Sequence, residues 1–213
     1  MQPHVEILGQ DAVGEALGDD AEGLTARLLD AALAEFTTYG LRRTSMENVA
    51  ERAGLARSTL YRRFSNKQEL VRAVALRQVR ELLVYLVRQV EQLPTIEERL
   101  VEAFVAGVQR SRADGLLTRL LKSEPETVLP YFTTHAEVGL GLGRAFLAEQ
   151  LRRSPGPRIA ADPDAAAEVI FRLTTSIMLS PGGHIPLDTD EDLRAFARAY
   201  LVPLLHQPGL GKP

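Results

Sequence analysis

Cysteine is absent from the 213 residues. That excludes a disulfide framework, a zinc ribbon and a thiol nucleophile. No apolar run approaches the roughly 18 residues that a membrane-spanning helix requires. The first 23 residues carry no Lys or Arg and no apolar block, so they do not read as a secretory signal, and a cytoplasmic location is the expectation. Strand signals are nearly missing: there is no sustained alternation of polar and apolar residues and no Asn-Gly or Asp-Gly hairpin. Catalytic signatures are missing too, with no GxSxG elbow, no HExxH pair and no phosphate loop. His4, His135, His184 and His206 are scattered, with no i, i+4 ligand pair. The expectation is therefore a non-enzyme with no catalytic residues, no metal and no cofactor.

What is there suffices for a globular protein. The apolar share is 45% and the charged share 25%, and this length allows one large domain or two small ones. The net charge of −3 hides a segregation. Residues 1–23 hold six acids and no base, residues 24–80 eleven bases and five acids, and residues 81–213 fourteen bases and seventeen acids. An acidic tail followed by a basic segment points to a polyanion-binding module joined to something else, with a plain solvated basic face as the other reading.

Helical periodicity fills the chain. Residues 1–23, with four glycines, are expected to form a flexible tail. A first helix is predicted over 24–39, stopped by Gly40, and Thr44 to Glu47 read as a capping box with Thr44 at the cap. The next helix places Met46, Val49, Ala50 and Ala53 on one face and ends at Gly54. A further short helix turns Leu60 and Phe64 inward. Ser65 to Gln68 read as a second capping box, opening a long helix over 67–93 before Pro94. Helices over 96–112, 116–123, 135–152, 162–179 and 189–205 follow, with a turn at 126–133. Gly139, Gly141 and Gly143 fit no dinucleotide fingerprint, since no strand precedes them. Each weakens a helix, so they signal a broken helix or a close approach to a neighbour or ligand. Asp188, Asp190, Glu191 and Asp192 lead into a helix start, where acids are favourable, rather than forming a metal site.

The two short helices joined through Gly54 form a helix-turn-helix. Packing needs only Leu60 and Phe64 from the second, which leaves Arg57, Ser58, Thr59, Tyr61, Arg62 and Arg63 outward. Arginine can fork onto guanine in the major groove, hydroxyls and lysine can hold phosphates, and Lys67 stands at a helix start that attracts phosphate. At residues 24–75 the chain resembles the tetracycline-repressor (TetR-like) family of bacterial transcription regulators. The resemblance rests on Ala31-Ala32, Phe36, Gly40, Thr44-Ser45, Val49-Ala50, Ala53-Gly54-Leu55, Thr59-Leu60-Tyr61, Phe64, Asn66-Lys67 and Leu70. It implies an all-α fold: a three-helix DNA-binding domain over 24–66 and a helical ligand-binding and dimerisation domain over 67–213. The DNA-binding set it implies is Thr44, Ser45, Arg57, Ser58, Thr59, Tyr61, Arg62, Arg63 and Lys67.

The helix over 162–179 and the last helix each carry more apolar surface than one interface uses. The resemblance implies that these two helices pair with their copies across a two-fold axis, with Leu173, Ile177, Phe196, Tyr200 and Leu201 as seam candidates. It also implies a small-molecule pocket, for which Phe104, Val108, Leu120, Tyr131, His135, Leu142, Phe146, Phe171 and Thr175 are candidates. The expected protein is a homodimeric regulator that binds a palindromic double-stranded DNA operator, a repressor released by a small hydrophobic effector. An activator, a ligand-independent repressor, and an all-α enzyme or binding protein with merely structural N-terminal helices are the alternatives.

Overall fold

The computed structural model describes residues 19–154, 162–180 and 182–206. The fold is all-α, and no strand occurs among the described residues. The helices are α1 (Asp19–Tyr39), α2 (Met46–Arg52), α3 (Arg57–Arg63), α4 (Lys67–Val90), α5 (Ile96–Ala113), α6 (Gly115–Ser123), α7 (Pro125–Val128), α8 (Glu137–Arg153), α9 (Pro163–Leu179) and α10 (Asp190–Phe196). A 3₁₀ turn, Leu129–Phe132, follows α7. None of the helices is long and apolar enough to cross a membrane, over the described residues. The chain divides into two compact units between Ala75 and Leu76.

In the first unit, α1 buries Leu28, Ala31, Ala32 and Phe36 against Met46, Val49 and Ala50 of α2 and Leu60 of α3. Burying a leucine such as Leu60 completely stabilises the fold by about 1.5–3 kcal/mol. Helix α1 begins at Asp19, five residues before the expected start, so residues 19–23 belong to it; residues 1–18 lie outside the described residues. Gly40 (φ 85°) and Gly54 (φ 64°) take the left-handed backbone that ends α1 and turns the chain after α2.

Both predicted capping boxes are displaced by one residue. Ser45, not Thr44, caps α2, accepting from the Asn48 N–H at 3.1 Å. Thr44 is buried and donates its hydroxyl to the Gly40 carbonyl at 2.8 Å. At α4, Asn66 accepts from the Glu69 N–H at 3.0 Å, and the Glu69 carboxylate accepts from the Ser65 N–H at 2.9 Å and its hydroxyl at 2.7 Å. The Ser65 hydroxyl bond, ahead of its backbone bond, holds the Glu69 carboxyl below the ordinary carboxylate range.

In the second unit, Ile96, Leu100, Val101, Phe104, Val105 and Val108 form the buried stripe of α5. It packs with Leu151, Ile170 and Leu187 and with Leu193, Phe196, Ala197, Leu201 and Leu205 of the C-terminal segment. Thr95 and Glu98 close a reciprocal capping box at the start of α5, and Thr189 and Asp192 another at α10. Arg194 forks onto Glu102 at 2.7 and 3.0 Å, tying α10 to α5. The predicted single helix to 205 is interrupted: α10 widens into a π turn, Ala197–Leu201, and then a 3₁₀ turn, Val202–His206. Pro203 supplies the reason, since it has no N–H to donate and its ring crowds the carbonyl four residues back.

Helix α8 is continuous through all three of its glycines. A Cβ at Gly143 would collide with the Phe171 ring of α9, whereas positions 139 and 141 have open space. Gly143 alone thus marks a close helix–helix approach, and none of the three glycines breaks α8.

Candidate nucleic-acid interface

Helices α2 and α3 make a helix-turn-helix, and polar side chains fix it against α1. Glu35 falls in the buried stripe of α1 and accepts from Arg52 Nε at 2.5 Å. Arg27 donates to the Ala53 carbonyl at 2.8 Å, at the end of α2. Arg63 Nε donates to the Thr25 hydroxyl at 2.8 Å, joining α3 to α1. Glu35 is buried while Arg52 stays partly exposed, and the pair ties α1 to α2.

Leu60 alone among the seven residues of α3 is buried. Arg57, Ser58, Tyr61 and Arg62 are exposed; Thr59 and Arg63 are half-buried. Lys67 donates to the Arg42 carbonyl at 3.2 Å, which places its ammonium beside the turn between α1 and α2. The structure therefore gathers Ser45, Arg57, Ser58, Thr59, Tyr61, Arg62, Arg63 and Lys67 in one small unit. Thr44 differs from the others: its hydroxyl is buried and donates to the Gly40 carbonyl, which locks the turn.

One acid sits in this face. Glu47, in the first turn of α2, forms an ion pair with Arg57 and accepts from the Tyr61 hydroxyl at 3.4 Å. The Arg57 guanidinium carbon lies 6.0 Å from the centre of the Tyr61 ring, in the range of cation–π attraction. A hydrogen bond from its own backbone N–H holds the Glu47 carboxyl below the ordinary carboxylate range; the Ser45 hydroxyl, Arg57 and Tyr61 act in the same direction against a partial opposing effect of burial. Glu47 is thus ionised at neutral pH. Sequence reading assigned it to a cap and missed the pair, because Arg57 lies ten residues away across the turn.

Outside this unit, Phe104, Val108 and Leu120 are core residues, buried in the second unit. Tyr131, Leu142, Phe146, Phe171 and Thr175 are half-buried, and His135 is exposed. An open groove runs along α4 from Arg77 to Gln89, past Val84 and Tyr85, and none of the nine pocket candidates lines it. Arg110 of α5 lies over the Tyr85 ring at 5.6 Å. Of the seam candidates, Leu173 and Tyr200 are exposed and Ile177 is half-buried. Leu201 is fully buried and Phe196 nearly so. Within one chain both pack in the core of the second unit, and the π turn carries Leu201 inward and Tyr200 outward.

A helix-turn-helix with a basic outer face on one packed recognition helix defines a DNA-binding module. Residues 28–74 match the family model for bacterial regulatory proteins of the TetR family. Residues 28–74 thus form a TetR-type DNA-binding domain, and the chain as a whole is similar to TetR-like transcriptional regulators. It is 26% identical over 179 residues to an uncharacterised HTH-type transcriptional regulator of Mycobacterium tuberculosis, across 84% of each chain. It is 38% identical over 56 residues to the regulator TtgR of Pseudomonas putida, across 26% of this chain and 27% of that protein. Among solved structures it is similar to AlkX, a TetR family repressor from a Dietzia strain implicated in biodegradation of n-alkanes. That likeness has 26% identity and a TM-score of 0.68 over 85% of this chain and 94% of that one. The repressor QsdR of R. erythropolis shares the fold at 18% identity and TM-score 0.63, over 90% and 99% of the two chains. These relatives are regulators rather than enzymes.

Proposed function

We propose that this regulator is a cytoplasmic homodimeric repressor that binds a palindromic operator and releases it when a small apolar effector binds the second unit. One observation carries the DNA-facing part: α3 commits only Leu60 to the core and turns Arg57, Ser58, Tyr61 and Arg62 to solvent. The proposed domains are residues 24–66 for DNA and 67–213 for effector and partner copy. The exposed Val169 and Leu173 of α9 and Tyr200 support pairing of this face with a second copy, and a two-fold dimer matches a palindromic site.

For the effector, Tyr131, Leu142, Phe146, Phe171 and Thr175 are the pocket candidates that remain partly exposed in the second unit. An apolar ligand also fits the likeness to AlkX, a repressor implicated in biodegradation of n-alkanes. Helix α4 carries Lys67 at its start and extends into the second unit, which makes it the element through which an effector acts. Release requires that the effector prefer the conformation that does not bind DNA.

The test is a screen of hydrophobic small molecules by thermal shift, with hits titrated against the complex of protein and operator. An effector that raises the melting temperature and displaces DNA supports the reading. One that stabilises the protein and leaves operator affinity unchanged overturns the coupling.

A further inference from the structure

We propose that Glu47 is a positioning residue for DNA recognition: by holding the Arg57 guanidinium across the turn it restrains that arginine from contacting phosphates at random. The inference rests on the reading that Arg57 faces DNA. An acid is out of place on a surface that meets phosphates, because it repels them. Its geometry supplies a use. Glu47 reaches from the first turn of α2 to Arg57 at the first position of α3, and Tyr61, one turn further along α3, donates to the same carboxylate oxygen. The Tyr61 ring also lies under the guanidinium. Arg57 is therefore fixed on two sides although about two-thirds of its side chain is exposed.

A guanidinium carries five N–H donors in a rigid fork. With one terminal nitrogen on Glu47, the remaining edge is still open to a base in the groove. A side chain already held loses less freedom when it reads that base. It also cannot swing to whichever phosphate lies nearest. Restraint of this kind raises discrimination and lowers indiscriminate affinity.

The experiment compares wild type, Glu47→Gln, Arg57→Ala and the double variant on two probes across a salt series. One probe is a random-sequence duplex; the other is a duplex that the wild-type protein selects from a random pool. Glu47→Gln is expected to tighten binding to the random duplex roughly threefold or more at low salt. It is expected to steepen the slope of log K against log salt by about one, the contribution of one added phosphate contact. Preference for the selected duplex falls. In the Arg57→Ala background the same glutamine leaves the slope unchanged and gives only the smaller gain in affinity that comes from removing the acid's own repulsion of phosphates. An unchanged slope in Glu47→Gln overturns the proposal, and so does a steepened slope that persists without Arg57. If Arg57→Ala alone leaves affinity for the selected duplex intact, the underlying DNA-facing reading of Arg57 fails. A general folding defect would lower affinity for both probes and the melting temperature together, which also contradicts the proposal.

Discussion

The ring of Phe171 on α9 occupies the space that a side chain at Gly143 on α8 would fill. The two helices meet there through one bare backbone position, and Arg144 and Arg152 of α8 pair with Asp164 of α9 beside it. Position 143 therefore behaves unlike 139 and 141. Gly143→Ala gains about 1 kcal/mol of helix propensity and loses more by overpacking, typically 1–3 kcal/mol, so it destabilises or breaks even. Gly139→Ala and Gly141→Ala have open space and raise stability by up to about 1 kcal/mol. Denaturant unfolding of the three variants checks the order.

A second prediction concerns acid. The hydrogen bond from Arg194, with its charge, holds the Glu102 carboxyl below the ordinary carboxylate range, and Glu102 in turn raises Arg194. A depressed carboxylate contributes stability that is complete above its unfolded value, about 4.3 for glutamate, and is lost as pH falls through the lower folded value. Glu102→Gln removes that contribution. Wild type and variant should differ most at neutral pH and converge as pH falls below about 4, measured by thermal unfolding across a pH series. The pair is partly exposed, so the gap is small.

The proposed partner face yields a third. Tyr200 and Leu173 are exposed, whereas Leu201 is fully buried. Tyr200→Glu and Leu173→Glu should give folded monomers in sedimentation, because a charge in an apolar seam is desolvated without a partner. Leu201→Glu should instead unfold the second unit. Dimers from both exposed-site variants would place the contact elsewhere.

Local signals made much of this fold legible. Gly40 and Gly54 stop helices where only glycine fits the backbone, and Leu60 and Phe64 mark the packed side of α3. The caps slipped by one because Thr44-Ser45 and Ser65-Asn66 each offer two capping residues in a row. Local pattern does not say that Gly40 takes the Thr44 hydroxyl or that Arg57 takes Glu47. The pairs Glu35–Arg52 and Glu102–Arg194 span 17 and 92 residues, beyond any helical spacing. Glu35 did leave a trace, since it stands seven residues after Leu28 on the apolar stripe of α1. Tyr200 and Leu201 could not be sorted by an ideal helical wheel, because Pro203 forces the backbone ahead of it off the α register.

A salt-dependent affinity titration of wild type, Lys67→Ala and Arg57→Ala against a duplex selected by the wild-type protein tests most directly whether this face meets DNA. Lys67→Ala should weaken binding to every sequence alike and flatten the salt slope by about one, as for a lost phosphate contact. Arg57→Ala should relax preference at one base position by about 1–3 kcal/mol. Unchanged affinity and slope in both variants would contradict the assignment of this face to DNA.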